Sequence, residues 1–279
     1  MPGGEPSEEG RGDLTGGPGS PPELRYEVGD RVARITIDRP HRRNALSWPL
    51  VVELRKALAR AREDASVAVV VLSGAGEEAF SAGADLGGAI GDRPGFLATH
   101  DSRGELAGLF GDLWSLGKPT IARVRGWALA AGFGLALACD LVVAADDARF
   151  GTPEVDVGLW PFVITVPLLR SMPAKVALEL MMTGRRVGAE EGARIGFVNR
   201  VVPAADLDQA VDELAATLSA KPAGALRLGR DSFYAVLGRG DRESLAHLQS
   251  LLTVVSQTED AAEGIAAFME RRPPRWVGR

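Results

Sequence analysis

Apolar positions along the chain repeat with two periods. From Val32 to Asp38 the order Val-Ala-Arg-Ile-Thr-Ile-Asp alternates apolar and polar side chains, the period-two pattern of a half-buried strand. Val67 to Leu72 is instead a continuous apolar run, which suits a strand covered on both faces. Between them the period lengthens: Leu50, Leu54, Ala57, Leu58 and Ala61 share one face of a helix that Ser47 caps, with Pro49 in its first turn. The alternation recurs downstream, predicting a helix over 105–116, a strand over 120–124, a small-residue helix after Ala131 and a strand over 141–144. Past Val202 the strand patterns stop, and helical segments follow over 206–218, 223–237, 242–255 and 259–271, the last with Thr258 as its cap. The expected fold is an α/β core with a helical appendage.

Three regions follow from this reading. Residues 1–22, rich in Gly, Pro and Glu and without the apolar stretch of a secretory signal, form an expected disordered tail. Residues 23–202 form the α/β core and residues 203–279 the helical C-terminal region. No fixed-period repeat is evident, and 87–104 reads as a poorly specified loop.

Length and composition narrow the functional classes. A chain of 279 residues buries enough apolar surface to enclose an active site. A net charge of −5 supplies no attraction for polyanions, so nucleic acid and anionic membrane surfaces are not expected partners. The longest apolar stretch, Trp127 to Cys139, falls short of the roughly 20 residues that span a bilayer. Cys139 is the only cysteine, so no internal disulfide or multi-cysteine metal site is available; a core role for it and a reducing, cytoplasmic location are expected.

Two segments carry candidate chemistry. Phe80-Ser-Ala-Gly-Ala-Asp-Leu86 follows the buried strand, and Gly126-Trp-Ala-Leu-Ala-Ala-Gly-Phe-Gly-Leu135 follows the strand over 120–124. In both, small residues allow close backbone approach, and a helix opens whose first N–H groups lack intrahelical partners. Two such helix starts aimed at one point make an oxyanion hole. Each segment alone also suits tight helix packing. Gly74-Ala-Gly76-Glu-Glu-Ala79 imitates a dinucleotide fingerprint, but Phe80-Ser-Ala-Gly83 interrupts the helix that should follow it. Ser81 lacks a nucleophile elbow, and His41, His100 and His247 sit in unrelated contexts.

The combination is more specific. Asn44-Ala-Leu-Ser47, Phe80 to Leu86, Lys118-Pro-Thr-Ile-Ala122, Gly126 to Asp140, Phe150-Gly-Thr-Pro-Glu154 and Thr183-Gly184 occur in the order and spacing of the enoyl-CoA hydratase/isomerase (crotonase) family, which the chain closely resembles from about Leu24 onward. The resemblance implies a spiral of ββα units with a helical C-terminal oligomerisation region, assembled as a homotrimer or a dimer of trimers. It implies an acyl-CoA thioester as substrate, and no cofactor beyond the coenzyme A that the substrate carries. The backbone N–H groups of Ala84 and Ala131 match the family's pair of thioester-oxygen donors, and Glu154 matches one of its two acid/base glutamates. At the other glutamate's position, three residues beyond Ala131, this chain has Gly134, a departure that a bound water or another side chain would have to fill. Arg43, Ala45, Ala82 and Ala84 match the coenzyme A path, and the Arg271-Arg272 end is expected near its phosphates. Phe133 and Trp160 are expected to touch the acyl chain. Asp156 is a backup carboxylate, Asp140 an expected structural hydrogen-bond partner and Asp85 an expected cap. Hydration of a 2-enoyl-CoA is the expected reaction, with enoyl-CoA isomerisation and catalytically weak acyl-CoA binding as alternatives.

Overall fold

The computed structural model describes residues 22–85 and 95–278. It opens with a hairpin in which β1 (Leu24–Gly29) pairs antiparallel with β2 (Val32–Ile37). The two-residue turn places Asp30 and Arg31 at φ +51 and +64, the left-handed pair that a tight hairpin turn requires. Sequence patterning missed β1, because only Leu24 and Tyr26 of its six residues turn inward.

From α1 (Trp48–Glu63) onward the chain winds as a spiral that contributes one strand to each of two sheets per turn. β3 (Val69–Gly74) is followed by β4 (Ala79–Ser81), then β5 (Thr120–Val124) by β6 (Trp127–Leu129), and β7 (Leu141–Ala145) by β8 (Arg149–Gly151). β9 (Arg186–Gly188) and β10 (Arg200–Val202) complete a six-stranded sheet ordered β1-β2-β3-β5-β7-β10 and a four-stranded sheet ordered β4-β6-β8-β9. This is the ββα spiral that the resemblance implies.

Helices α2 (Phe96–Trp114), α3 (Ala131–Ala138), α4 (Thr165–Ser171), α5 (Ala174–Thr183) and α6 (Ala189–Ile195) connect the turns, and α7 (Leu207–Ser219) covers the outer face of the larger sheet. The continuous apolar run of β3 now has its cause: Val70 and Leu72 face the main core, while Val69 and Val71 face the α7 layer with Leu207, Ala210 and Val211. The start of α2 corrects the loop expected over 87–104, since helix begins at Phe96; positions 86–94, like most of the expected N-terminal tail, lie outside the described residues.

Beyond β10 the described chain is helical, with α8 (Ala223–Val236), α9 (Asp241–Ser256) and α10 (Glu259–Glu270) after α7. Both expected caps form: Ser47 accepts from the Leu50 amide and Thr258 from the Ala261 amide. Asp140 ties α8 to the core as the expected structural partner. Its carboxylate accepts from the Thr120 amide and hydroxyl, the Arg230 guanidinium at 2.8 Å and the Tyr234 hydroxyl at 2.6 Å. Burial and the adjacent Asp140 push the Tyr234 phenol far above its usual range, so it remains a donor. Among the described residues no helix is long and apolar enough to cross a membrane.

Candidate active site

β4, β6 and β8 run parallel in the smaller sheet, so the segments that follow them leave from one edge, where open parallel sheets bind ligands. Those segments carry Ala84, Ala131 and Glu154. Their approach is read from Gly83, at φ +99: a Cβ there would lie 2.7 Å from the Ala130 Cβ, 2.9 Å from the Leu129 carbonyl oxygen and 3.5 Å from the Ala131 nitrogen. Glycine is required both by the conformation and by the contact. The two small-residue segments therefore meet at the residues that precede and include the proposed donors.

Among the described residues, local hydrogen bonding leaves both amides available. Leu46 bridges Ala84 in parallel fashion, its N–H donating to the Gly83 carbonyl at 2.7 Å while its carbonyl accepts from the Asp85 N–H at 2.9 Å. The residue opposite a parallel bridge takes no part in either bond, so the Ala84 N–H points elsewhere. Ala131 is the first residue of α3, where an N–H has no helical acceptor. Ala130 before it holds φ 50 and ψ −126, a conformation that costs a non-glycine residue about 1–3 kcal/mol. Two bonds hold it there: the Ala130 N–H donates to Gly151 at 2.9 Å and its carbonyl accepts from Gly134 at 3.0 Å.

Glu154 lies in a 3₁₀ turn, Pro153–Val157, directly after β8. The turn is anchored by Thr152, which is fully buried and donates its hydroxyl to the Leu180 carbonyl at 2.9 Å. Oε2 of Glu154 is buried and has no hydrogen-bond partner among the described residues. Burial raises the carboxyl pKa above its ordinary value, opposed by its own amide and by the charge of Arg186. In the interval between the ordinary and raised values the folded state holds a proton that the unfolded chain has released, so this group's contribution to stability falls as pH rises through that interval. Glu154→Gln has no charge to desolvate. Its Tm relative to wild type is expected to rise as pH climbs above the ordinary glutamate range; a Tm difference that stays flat would contradict the burial argument.

Several expectations change. Gly134 is not open to a water that could stand in for a second carboxylate: a Cβ there would lie 2.5 Å from Ile164 Cγ2 and 3.0 Å from Phe110 Cζ, so apolar side chains already fill that space. Phe133 is not a pocket wall. It is fully buried between Phe150 and Phe197, with ring centroids 5.4 and 5.2 Å away, because the helix points its side chain about 100° away from the Gly134 side. Asp156 does not share the Glu154 face. The segment is 3₁₀ rather than extended, and the Asp156 carboxylate sits over Gly184 and 3.5 Å from Arg186. Trp160 is half-buried against the core.

On the expected coenzyme A path, Arg43 and Ala45 flank Asn44, and the Ala82 N–H donates to the Arg43 carbonyl at 2.9 Å. The Arg43 side chain is exposed and paired with Glu78 at 2.6 Å. Asn44 is fully buried; it accepts from the Arg39 amide and donates to the Ala75 and Ala79 carbonyls. Asp85, expected as a cap, pairs with Arg39 at 3.0 Å. Ser81 is fully buried and its hydroxyl accepts from the Gly83 amide at 3.3 Å, a turn contact. Sequence reading missed Arg39, Phe110, Thr152 and Ile164. An arginine buried by its partners is indistinguishable in sequence from its exposed neighbours Arg42 and Arg43, and Ile164 lies 30 residues from the glycine it covers.

Comparison with known proteins is consistent with this geometry. A family described as enoyl-CoA hydratase/isomerase matches residues 27–279. Carnitinyl-CoA dehydratase of Escherichia coli O157:H7 is 38% identical over 256 residues, covering 89% of this chain and 95% of its own. The crystal structure of an enoyl-CoA hydratase from Mycobacterium smegmatis superposes with a TM-score of 0.88 at 34% identity, covering 91% of this chain and 99% of that one. An enoyl-CoA hydratase from Bacillus anthracis does so with a TM-score of 0.87 at 31% identity, over 92% and 100%.

Proposed function

Since the chain belongs to the enoyl-CoA hydratase/isomerase family, we propose that it adds water across the C2=C3 bond of a 2-enoyl-CoA, with Glu154 as sole carboxylate and the Ala84 and Ala131 amides on the thioester oxygen. The observation that carries this reading is the buried Glu154 Oε2, together with the Ala131 amide at the start of α3 and the bridge-residue amide of Ala84, none of which has a hydrogen-bond partner among the described residues. The Glu154 carboxylate takes a proton from water as the water oxygen bonds to C3. The C2=C3 electron pair shifts toward the carbonyl, giving an enolate whose oxygen the two N–H groups stabilise without reorganisation. The carboxylic acid so formed returns the proton to C2, yielding a 3-hydroxyacyl-CoA and restoring the carboxylate. A raised pKa suits a group that must both accept and give back the proton.

One observation favours a second reaction. Ile164 and Phe110 close the Gly134 side, which suits a proton shuttled between C4 and C2 of a 3-enoyl-CoA by the same carboxylate, without water. Incubation with crotonyl-CoA and with a 3-enoyl-CoA separates the possibilities. Loss of the conjugated-enoyl absorbance from the first substrate is the expected result; its appearance from the second identifies an isomerase, and no change with either leaves an acyl-CoA-binding protein and removes the catalytic proposal.

The same reading extends to assembly as a homotrimer or dimer of trimers in the cytoplasm. Apolar side chains left exposed on α8 to α10, including Phe233, Leu245, Leu252, Ile265 and Phe268, which is 82% exposed, support burial of this region against other copies.

A further inference from the structure

Among the described residues, the segment that presents Ala84 has one β-bridge, to Leu46, with a single residue on each side, and the neighbouring Ala82–Arg43 backbone bond. Arg39, whose residue surface is only 7% exposed, ties the two sides of the bridge together. Its guanidinium spends each nitrogen on a different segment: Nε on Glu23 Oε1 at 2.7 Å, one terminal nitrogen on the Ala45 carbonyl at 2.5 Å and the other on Asp85 Oδ2 at 3.0 Å. Ala45 immediately precedes Leu46, and Asp85 immediately follows Ala84. The planar fork thus grips both strands of the bridge diagonally, one residue from the amide that donates to the thioester oxygen. The Arg39 backbone is pinned in turn, its N–H donating to Asn44 Oδ1 at 3.0 Å and its carbonyl accepting from the Asn44 and Arg42 amides at 2.9 Å.

We infer that Arg39 is a positioning residue for catalysis, orienting the Ala84 N–H toward the thioester oxygen through Ala45 and Asp85; this rests on the reading of Ala84 as an oxyanion donor. The guanidinium nitrogens are taken up by Glu23, Ala45 and Asp85, so the side chain acts through these partners. Lysine cannot replace it, because a single ammonium does not span three acceptors in fixed directions. A donor displaced by a fraction of an ångström loses much of its value, because the bond counts where charge develops in the transition state.

The test uses the full-length protein with unreactive butyryl-CoA carrying ¹³C at the thioester carbonyl, whose stretching frequency falls when the oxygen accepts hydrogen bonds. Wild type is expected to lower it on binding. Arg39→Met and Arg39→Lys should lose a large part of that shift, and kcat on the active substrate should fall about 10- to 100-fold with a much smaller change in KM. Asp85→Asn, which keeps the shape and weakens one arm of the fork by removing its charge, should show a smaller loss of the same kind if the arginine variants fold poorly. Arg34→Met, which breaks a surface pair with Asp212 on the outer sheet face, serves as the structural comparison and should leave the frequency unchanged. If wild type shows the shift and both Arg39→Lys and Asp85→Asn retain it in full, Arg39 has only a structural role and the inference is overturned. If wild type shows no shift, the oxyanion reading itself fails, and this inference with it.

Discussion

Replacing Glu154 with glutamine is expected to lower kcat by about 10²–10⁴ while leaving acyl-CoA affinity close to wild type. The carboxamide occupies the same volume and keeps the 3₁₀ turn, which is held by Thr152 and not by the Glu154 side chain. It can neither take a proton from water nor return one to carbon. On the proposed reading, thioester binding rests on backbone amides from other segments, so KM should move little. The pH–rate profile supplies a second signature: burial raises the Glu154 pKa, so the wild-type acidic limb should lie above the ordinary glutamate range and vanish in the variant. The measurement is steady-state turnover with circular dichroism as a folding check. A folded Glu154→Gln protein with wild-type kcat would place the proton transfer on another group.

Ala131→Pro is expected to cost about 10²–10³ in kcat, the range seen when one oxyanion donor is removed. Ala131 is the first residue of α3, where the proline φ fits and no helical hydrogen bond is lost. Ala130, at φ 50 and ψ −126, lies outside the extended region that a residue before proline prefers, so circular dichroism checks that the variant folds before turnover is compared. Ala131→Gly keeps the N–H and should retain most of the rate, which separates loss of the donor from loss of the side chain. Unchanged turnover in a folded Ala131→Pro protein would remove Ala131 from the oxyanion site.

The two arguments draw on different depths of information. The setting of Ala131 was legible in sequence because the order strand, glycine turn, small-residue helix start leaves a local signature, whereas Glu154 was singled out only by the family resemblance. The Gly134 departure was legible as an absence, but not its consequence. That Ile164 and Phe110 fill the space follows from α2 and α4 packing on α3, contacts between segments far apart in the chain. Phe133 was misassigned for a related reason. Its neighbourhood in sequence is the oxyanion segment, but successive helix residues point about 100° apart, and its side chain faces Phe150 and Phe197 instead.

By itself, then, the chain determined the longer strands and helices of the core and appendage, the Ser47 and Thr258 caps, and that two small-residue segments follow strands. Those features depend on local dihedral preference, hydrogen bonding within a few residues and the periodicity of burial. Tertiary structure alone decided that Gly83 packs against Ala130, that the Glu154 oxygen is buried without a partner among the described residues, and that Arg39 is buried at all. Burial, desolvation and convergence are set by what packs from elsewhere in the chain, and a polar side chain carries no mark of it until its partners arrive.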